Sequence, residues 1–195
     1  MTITPEYQSH LLGLHAKHEW GTTAGKYAGD TVLRLLKDFP EIKTILDYGC
    51  GEGTLKTWIE ENGVTDKQWT LYDPGMEAFK EPPKGKFDLV ITTDVLEHVE
   101  EEMLDAVLDN LRELTGRFLY SEIACYFCNV VFGDGPYAGQ DLHINMKAPD
   151  SWFARLQDSK FNNCVYFPSL IEERKVRALI IQERKRNEGS NSRQW

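Results

Sequence analysis

Short apolar runs along the chain alternate with segments in which apolar residues recur every three or four positions, a pattern typical of strands that alternate with helices. Phe87–Thr92 is mostly apolar, as strands of a buried parallel sheet are, so we expect an open α/β sheet covered by helices. The predicted strands are Ile45–Asp47, Trp69–Tyr72, Phe87–Thr92, Phe118–Ile123 and two more near Cys164–Phe167 and Val176–Ile181, the last two joined by Pro168–Lys175. The predicted helices are Glu6–Trp20, Asp30–Phe39, Leu55–Glu61, Met103–Leu114 and Pro149–Ser159.

One stretch organises this pattern. The first strand ends at Asp47, and three glycines then alternate with other residues before a helix begins near Leu55. Gly49, Gly51 and Gly53 let the backbone turn sharply and let a ligand approach where a β-carbon would collide. The helix start beyond them offers unpaired N–H groups. The loop is therefore suited to hold part of a nucleotide-like cofactor.

Two kinds of cofactor compete for such a loop. The dinucleotide fingerprint has the spacing Gly-x-Gly-x-x-Gly, whereas this loop has Gly-x-Gly-x-Gly, and Thr54 stands at the third glycine position of the fingerprint. Asp47 would repel a pyrophosphate but suits a cationic amine. Asp73 follows the next strand, where its carboxylate can bind both hydroxyls of a ribose. A nicotinamide-linked oxidoreductase is therefore disfavoured.

The acid before the glycines, the acid after the second strand and the later stretch Phe87–Val99 together resemble the class I S-adenosylmethionine-dependent methyltransferases, in particular their small-molecule branch. The resemblance implies a Rossmann-like doubly wound sheet that is mostly parallel and has an antiparallel C-terminal strand. A regular domain of this family fits a helix, a third strand and an adenine-contacting loop between its second and fourth strands. The interval from Asp73 to Phe87 is too short for them, so we expect a sheet shortened around its third strand.

This shortening and the later motifs resemble a compact bacterial and phage-type subset of the family. The motifs Asp134-Gly135, His143-Ile144 and Pro149-Asp150-Ser151-Trp152 occur in the order of that subset. The resemblance thus covers the chain from about Trp20 to Leu156.

The resemblance implies S-adenosyl-L-methionine as the cofactor and gives the loop residues their roles. Asp47 would face the methionine amine, directly or through water, and Asp94 would assist it from the fourth strand. The nearest candidates for contact with the adenine are Pro74, Gly75 and Met76. The predicted cofactor-binding residues are Asp47, Gly49, Cys50, Gly51, Gly53, Asp73, Pro74, Asp94 and Val95.

Methyl transfer from a sulfonium is an in-line displacement, so the protein mainly positions and desolvates the reactants. A hydroxyl or amine acceptor also needs a base. His143 is the first candidate because an imidazole titrates near neutrality, although it alternatively orders its loop by a hydrogen bond. His98 and Glu122 are the other catalytic candidates, and His98 alternatively anchors the following helix.

Three aromatic residues are predicted to line the acceptor pocket or its lid. In this family the segment before the first strand often folds over the cofactor, which indicates Trp20 and Tyr27. Their alternative role is to pack the N-terminal helix onto the core. Tyr137 lies in the loop beyond Phe118–Ile123, where such enzymes place the acceptor.

Composition restricts the partners. The formal net charge of −9 argues against general binding of naked nucleic acid, which depends on neutralising phosphates with Lys and Arg. A small or polymer-terminal acceptor is favoured. No apolar run approaches the ~20 residues that span a bilayer, and no signal pattern opens the chain. We therefore expect a cytoplasmic protein without a membrane partner.

No metal site is predicted. The four cysteines are scattered and are expected to be reduced thiols. Cys125-x-x-Cys128 has no second pair at a spacing that would complete a zinc site. His15 and His18 would share a helix face, but the usual His-Glu-x-x-His arrangement is absent.

These observations predict one methyltransferase domain over residues 1–183, in which residues 1–40 form a helical cap or lid, followed by a mobile polar tail over residues 184–195. The predicted function is S-adenosylmethionine-dependent methyl transfer to a hydroxyl or amine of a small or polymer-terminal acceptor. The alternative is a non-catalytic cofactor-binding or interaction module with the same fold. The acceptor, the atom methylated and the oligomeric state stay open.

Overall fold

The computed structural model describes residues 3–15, 21–133, 137–172 and 175–185. The helices are α1 (Pro5–His15), α2 (Ala24–Asp38), α3 (Thr54–Glu61), α4 (Glu101–Leu114) and α5 (Pro149–Leu156). The strands are β1 (Thr44–Tyr48), β2 (Gln68–Tyr72), β3 (Phe87–Thr93), β4 (Thr115–Ala124), β5 (Phe161–Glu172) and β6 (Lys175–Arg184). A 3-10 turn, Leu96–His98, follows β3. Within the described ranges, no helix is long and apolar enough to cross a membrane.

The strands form one sheet in the order β2-β1-β3-β4-β6-β5. Pairings among β1, β2, β3 and β4 are parallel, whereas β6 runs antiparallel to both β4 and β5. The prediction of a Rossmann-like, mostly parallel sheet with an antiparallel C-terminal end is confirmed. In such a sheet the carboxyl ends of the parallel strands meet at one edge, where ligands of open α/β sheets bind.

The sheet is shortened where the sequence indicated. Residues 73–86, between β2 and β3, contain neither helix nor strand. A compact turn replaces them, in which the Asp73 N–H donates to the Phe79 carbonyl at 3.0 Å and the Met76 N–H to the Asp73 carbonyl at 3.1 Å. β1 therefore pairs directly with β3 on one side, and β2 becomes the last strand on the other.

Side chains alternate between two apolar layers, one on each face of the sheet. Along β3, Leu89 and Ile91 pack with α2 and α3, whereas Val90 between them packs with α4 and α5. Ile45 and Leu46 of β1 divide in the same way. Because β3 is buried on both faces, the consecutive residues Leu89, Val90 and Ile91 are all apolar and do not alternate with polar ones.

Some predicted boundaries are wrong. α2 begins at Ala24 rather than Asp30, and Gly25 and Gly29 lie inside the helix and face α3. The predicted linker Pro168–Lys175 lies mostly in the hairpin of β5 and β6. Proline is tolerated in β5 because it is an edge strand. β6 includes Arg184, so the predicted tail begins one residue early; residues 186–195 lie outside the described ranges.

We predict that Gly25→Ala lowers the free energy of unfolding. A β-carbon at Gly25 would lie 2.8 Å from the Thr54 carbonyl oxygen, and overpacking of this kind costs about 1–3 kcal/mol. This exceeds the roughly 1 kcal/mol that alanine gains over glycine in a helix. Urea unfolding measures the difference. Gly13→Ala in α1 is the matched control, because a β-carbon there meets nothing within 4 Å among the described atoms; it should be neutral or stabilising. Equal effects of the two changes would contradict the close packing of α2 on α3.

Candidate active site

A cavity of about 300 Å³ opens at the carboxyl edge of the parallel strands. Its walls come from the loops after β1, β2, β3 and β4, from β6 and from the N-terminal segment. Ile3, Tyr7 and Leu11 from the α1 region and residues 21–24 line it together with Tyr27. The α1 region and the segment from Gly21 to Tyr27 thus contribute side chains and backbone to the cavity wall.

The glycines of the β1–α3 loop are needed for packing within the protein itself, before any ligand is considered. Gly49 and Gly51 have φ of +81° and +51°. A β-carbon on Gly49 would lie 2.3 Å from a methyl group of Val95, and one on Gly51 would lie 2.4 Å from the carbonyl oxygen of Gly21. We expected these glycines to admit a ligand; the structure adds that they admit the neighbouring backbone and the Val95 side chain.

Asp73 fastens this loop to the end of β2. One carboxylate oxygen accepts the Gly51 N–H at 2.9 Å, and the other accepts the Gly75 N–H at 2.8 Å. Asp73 is 6% exposed and lines the cavity. Each carboxylate oxygen has two acceptor sites, so Asp73 can hold the loop and still accept from a ribose.

Asp47 lies beneath the loop rather than at the cavity wall. The residue is 1% exposed, and its Oδ2 has no hydrogen-bond partner among the described residues. Burial, together with the charge of Asp73, raises the pKa of Asp47 to about 7. A neighbouring cation would offset this penalty. Gly53, the other predicted residue outside the lining, caps α3 with a φ of +73°.

Asp94 and Glu122 have a partner that sequence reasoning missed. Arg177 of β6, 2% exposed, forms ion pairs with Asp94 and with Glu122, the latter at 2.9 Å. Although burial opposes the charge, the two acids hold the pKa of Arg177 above its ordinary value. Arg177 also lies 4.7 Å from the ring of Tyr27 in a cation–π contact. A single arginine within the apolar strand 176–181 was the sequence signal that could have revealed it.

This pairing corrects the role of Glu122. Glu122 is absent from the cavity lining, binds Arg177 and accepts a hydrogen bond from Tyr120 at 2.8 Å. Burial raises its pKa, and Arg177 partly opposes the shift. Since it contacts its neighbours and not the cavity, we do not retain Glu122 as a candidate base. Asp94 does line the cavity, in a left-handed conformation with φ of +54°.

His98 and His143 contact each other at the cavity wall. Their rings lie 4.8 Å apart, edge to face, and both line the cavity. The Nδ1 atom of His98 is 2.8 Å from the Leu142 carbonyl oxygen, and that of His143 is 2.5 Å from the Tyr126 carbonyl oxygen. A carbonyl only accepts, so each Nδ1 carries a proton and Nε2 holds the lone pair of the neutral ring.

The predicted lid residues differ in where they lie relative to the cavity. Tyr27 lines the cavity and is 38% exposed. Tyr137 instead packs against Tyr7 and Phe132 and donates to the Glu100 carboxylate, so it supports the cavity wall from behind. Trp20 lies outside the described residues, as do Asp134 and Gly135.

Seven of the nine predicted cofactor-binding residues line the same cavity: Gly49, Cys50, Gly51, Asp73, Pro74, Asp94 and Val95. A shortened parallel sheet with an antiparallel end, a glycine loop after β1 and an acid after β2 define the Rossmann-like class I methyltransferase fold. A family model described as a methyltransferase domain matches residues 20–170. The chain belongs to this family, and it is an S-adenosylmethionine-dependent methyltransferase.

Solved structures support the same fold. The chain is 14% identical to the Burkholderia thailandensis 1,6-didemethyltoxoflavin-N1-methyltransferase with bound 1,6-didemethyltoxoflavin and S-adenosylhomocysteine, with a TM-score of 0.57 over 94% of this chain and 91% of that one. It is 16% identical to the magnesium protoporphyrin IX methyltransferase of Synechocystis PCC 6803 with bound SAM, with a TM-score of 0.51 over 81% of this chain and 78% of that one. A search of curated proteins finds no match.

We predict that Arg177→Met strongly lowers the free energy of unfolding, by about 3–5 kcal/mol, because it leaves two carboxylates without their buried cation. Urea unfolding at neutral pH measures the loss. Arg117→Met is the matched control: Arg117 pairs with Glu41 and Glu183 but keeps 26% of its side chain exposed, and exposed pairs contribute about 1 kcal/mol or less. The double change Arg177→Met with Glu122→Gln should recover part of the loss. A loss at Arg177 no larger than at Arg117 would argue against the buried network.

Proposed function

We propose that this protein transfers a methyl group from S-adenosylmethionine to a hydroxyl or amine of a small-molecule acceptor. The observation that carries the proposal is the pair of imidazoles, His98 and His143, on the wall of the same cavity that the glycine loop enters. In this proposal the cofactor binds at the glycine loop and the acceptor binds beside the two imidazoles. The neighbours named above methylate small molecules by their names, which is consistent with this acceptor class.

In this proposal Asp73 binds the ribose hydroxyls while it holds the loop through the Gly51 N–H. Asp47 faces the methionine ammonium from beneath the loop, where its unpartnered Oδ2 gains the cation that it lacks. Asp94, paired with Arg177, borders the same region. The adenine is expected near Pro74, because the shortened segment leaves only the 73–79 turn on that side.

His143 is the proposed proton acceptor. Its Nδ1–H donates to the Tyr126 carbonyl, and its backbone N–H donates to Asp141 at 2.9 Å. These two bonds fix the ring and leave Nε2 as the basic atom. The acceptor would then lie between His143 and the aromatic rings of Tyr27 and Tyr126, all of which line the cavity.

The alternative function is a non-catalytic cofactor-binding module. Such a module would need no residues that bind or deprotonate an acceptor. The imidazole pair, held by two backbone carbonyls, favours the catalytic function. The formal net charge of −9 disfavours long contacts with a nucleic acid, so we propose a small acceptor rather than the end of such a polymer. We also propose a cytoplasmic location, which the free thiols of all four cysteines support.

The raised pKa of Asp47 generates a prediction about proton linkage. With a folded-state pKa of about 7 against an ordinary ~3.9, the ligand-free protein keeps a proton on Asp47 between these values, and its free energy of unfolding falls as pH rises through that window. If the ammonium of the cofactor pairs with Asp47, binding near pH 6 releases this proton. Calorimetry of S-adenosylhomocysteine binding in buffers of different ionisation enthalpy measures the release.

Asp47→Asn is the matched variant for this linkage. It should abolish the proton release, weaken ligand binding by about 2 kcal/mol and make the ligand-free protein more stable than the parent above neutral pH. Identical proton release in parent and variant would show that another group titrates. Binding of NADH but of neither sulfur ligand would overturn the cofactor assignment itself.

We predict that His143→Asn lowers the rate of methyl transfer by ~100- to 10,000-fold with little change in cofactor affinity. Asparagine keeps a donor for the Tyr126 carbonyl and removes only Nε2. The acceptor is found by screening metabolite pools for label transferred from S-adenosylmethionine, and turnover, melting temperature and cofactor affinity are then compared. A near-parental rate in a folded variant would remove His143 from the chemistry and leave His98 or positioning alone.

A further inference from the structure

Glu97, His98 and His143 form a compact cluster beside the cavity. One nitrogen of each imidazole and one carboxylate oxygen of Glu97 lie within 4.8 Å of one another, and all three residues are buried. Glu97 and His98 come from the 3-10 turn after β3, whereas His143 comes from the segment after β4. Two distant parts of the chain therefore bring a mixed nitrogen and oxygen set to one point.

Both imidazoles are held in the orientation that metal-binding histidines adopt. A metal-bound histidine almost always donates its other ring N–H to a carboxylate, carbonyl or water, which fixes the tautomer. Here the Nδ1 atoms of His98 and His143 contact the carbonyls of Leu142 and Tyr126. In each neutral ring, Nε2 is thus the atom with the lone pair that a metal takes.

Glu97 supplies an independent observation. The side chain is fully buried. One oxygen accepts the Ala124 N–H at 2.9 Å, and Oε2 has no hydrogen-bond partner among the described residues. A buried carboxyl oxygen without a partner is unfavourable when the group is ionised, and a bound cation would offset that cost.

We infer that Glu97, His98 and His143 bind a divalent first-row transition-metal ion, with an open coordination position toward the cavity. Two histidines and one carboxylate are the protein ligands of several catalytic zinc and non-haem iron sites. His98 and His143 both line the cavity, so the proposed ion would lie at the cavity wall.

The geometry needs a small contraction. Ligand atoms at 2.0–2.2 Å from one ion lie about 3.3 Å apart in a tetrahedral site, compared with separations of up to 4.8 Å here. Metal binding therefore requires these ligand atoms to move closer together by up to about 1.5 Å. Imidazole ligands favour zinc-like ions over magnesium, which prefers oxygen ligands.

A second cluster shares His143 but suits a metal less well. One potential ligand atom from each of Cys128, Asp141 and His143 also lies within 4.8 Å of the other two. Asp141 already accepts the backbone N–H groups of Cys128, Asn129 and His143. The Cys128 thiol donates to the same carboxylate at 3.1 Å, so it is protonated, whereas a metal binds the thiolate.

The site bears on the proposed function without depending on it. A bound ion would use the Nε2 lone pair of His143, so His143 is the proton acceptor proposed above only in the metal-free protein. A metal-bound hydroxyl loses its proton more readily than a free one. The binding measurement below contains neither acceptor nor methyl transfer, so either proposal can fail while the other stands.

The test uses the full chain without a histidine-rich tag, stripped with a chelator and titrated with Zn²⁺ by calorimetry and with Co²⁺ by visible absorption. We expect one equivalent to bind in the micromolar range or tighter, and Mg²⁺ not to compete. Glu97→Gln, which keeps an acceptor for the Ala124 N–H, and His143→Asn, which keeps the donor to Tyr126, should each weaken binding by at least ~10-fold. Circular dichroism checks that both variants fold.

Cys128→Ser is the matched control and should bind Zn²⁺ like the parent, and the cobalt spectrum should lack a sulfur-to-cobalt charge-transfer band. Loss of binding in Cys128→Ser, or such a band, would move the metal to the other cluster and overturn the ligand assignment. No saturable binding of Zn²⁺ or Co²⁺, or affinity unchanged in both Glu97→Gln and His143→Asn, would overturn the site itself.

Discussion

The buried guanidinium of Arg177 is the interaction on which the arrangement of the cavity depends. It lies on the antiparallel strand β6 and bridges the acids at the ends of β3 and β4, so it connects three strands at the ligand edge. Removing such a charge from water costs several kcal/mol, which only close ionic partners repay. Asp94 and Glu122 can therefore coexist at one edge because Arg177 lies between them. The C-terminal hairpin is in this sense part of the active site and not only the end of the sheet.

The cofactor side could be predicted from sequence because its determinants are local. A strand, an acid, three glycines and a helix follow one another within a few residues, so their order already specifies their geometry. The interval after Asp73 was also informative, because a missing strand shows directly as missing length. The start of α2 was predicted too late for the opposite reason: Gly25 and Gly29 pack on α3, a neighbour in space whose approach the local sequence does not encode.

The acceptor side was harder to predict because it is assembled from distant segments. Glu122 lies near the end of a predicted strand, yet its partners, Tyr120 and Arg177, hold it away from the cavity wall. His98 and His143 were named separately, but nothing in the sequence indicated that their rings lie 4.8 Å apart with Glu97 beside them. Tyr137 looked like a lid because of its loop, and packing against Tyr7 places it behind the wall.

The shortened sheet affects how readily its two edge strands pair with strands of other proteins. Among the described strands, β2 and β5 are the two borders, and unpaired borders of this kind can recruit strands from other chains and lead to aggregation. β2 is only five residues long, and brief border strands give a poor template for such pairing. The longer β5 carries Pro168, whose nitrogen has no proton to donate. The loss of the third strand thus leaves β2 as an edge strand that is too short to pair readily with a strand of another chain.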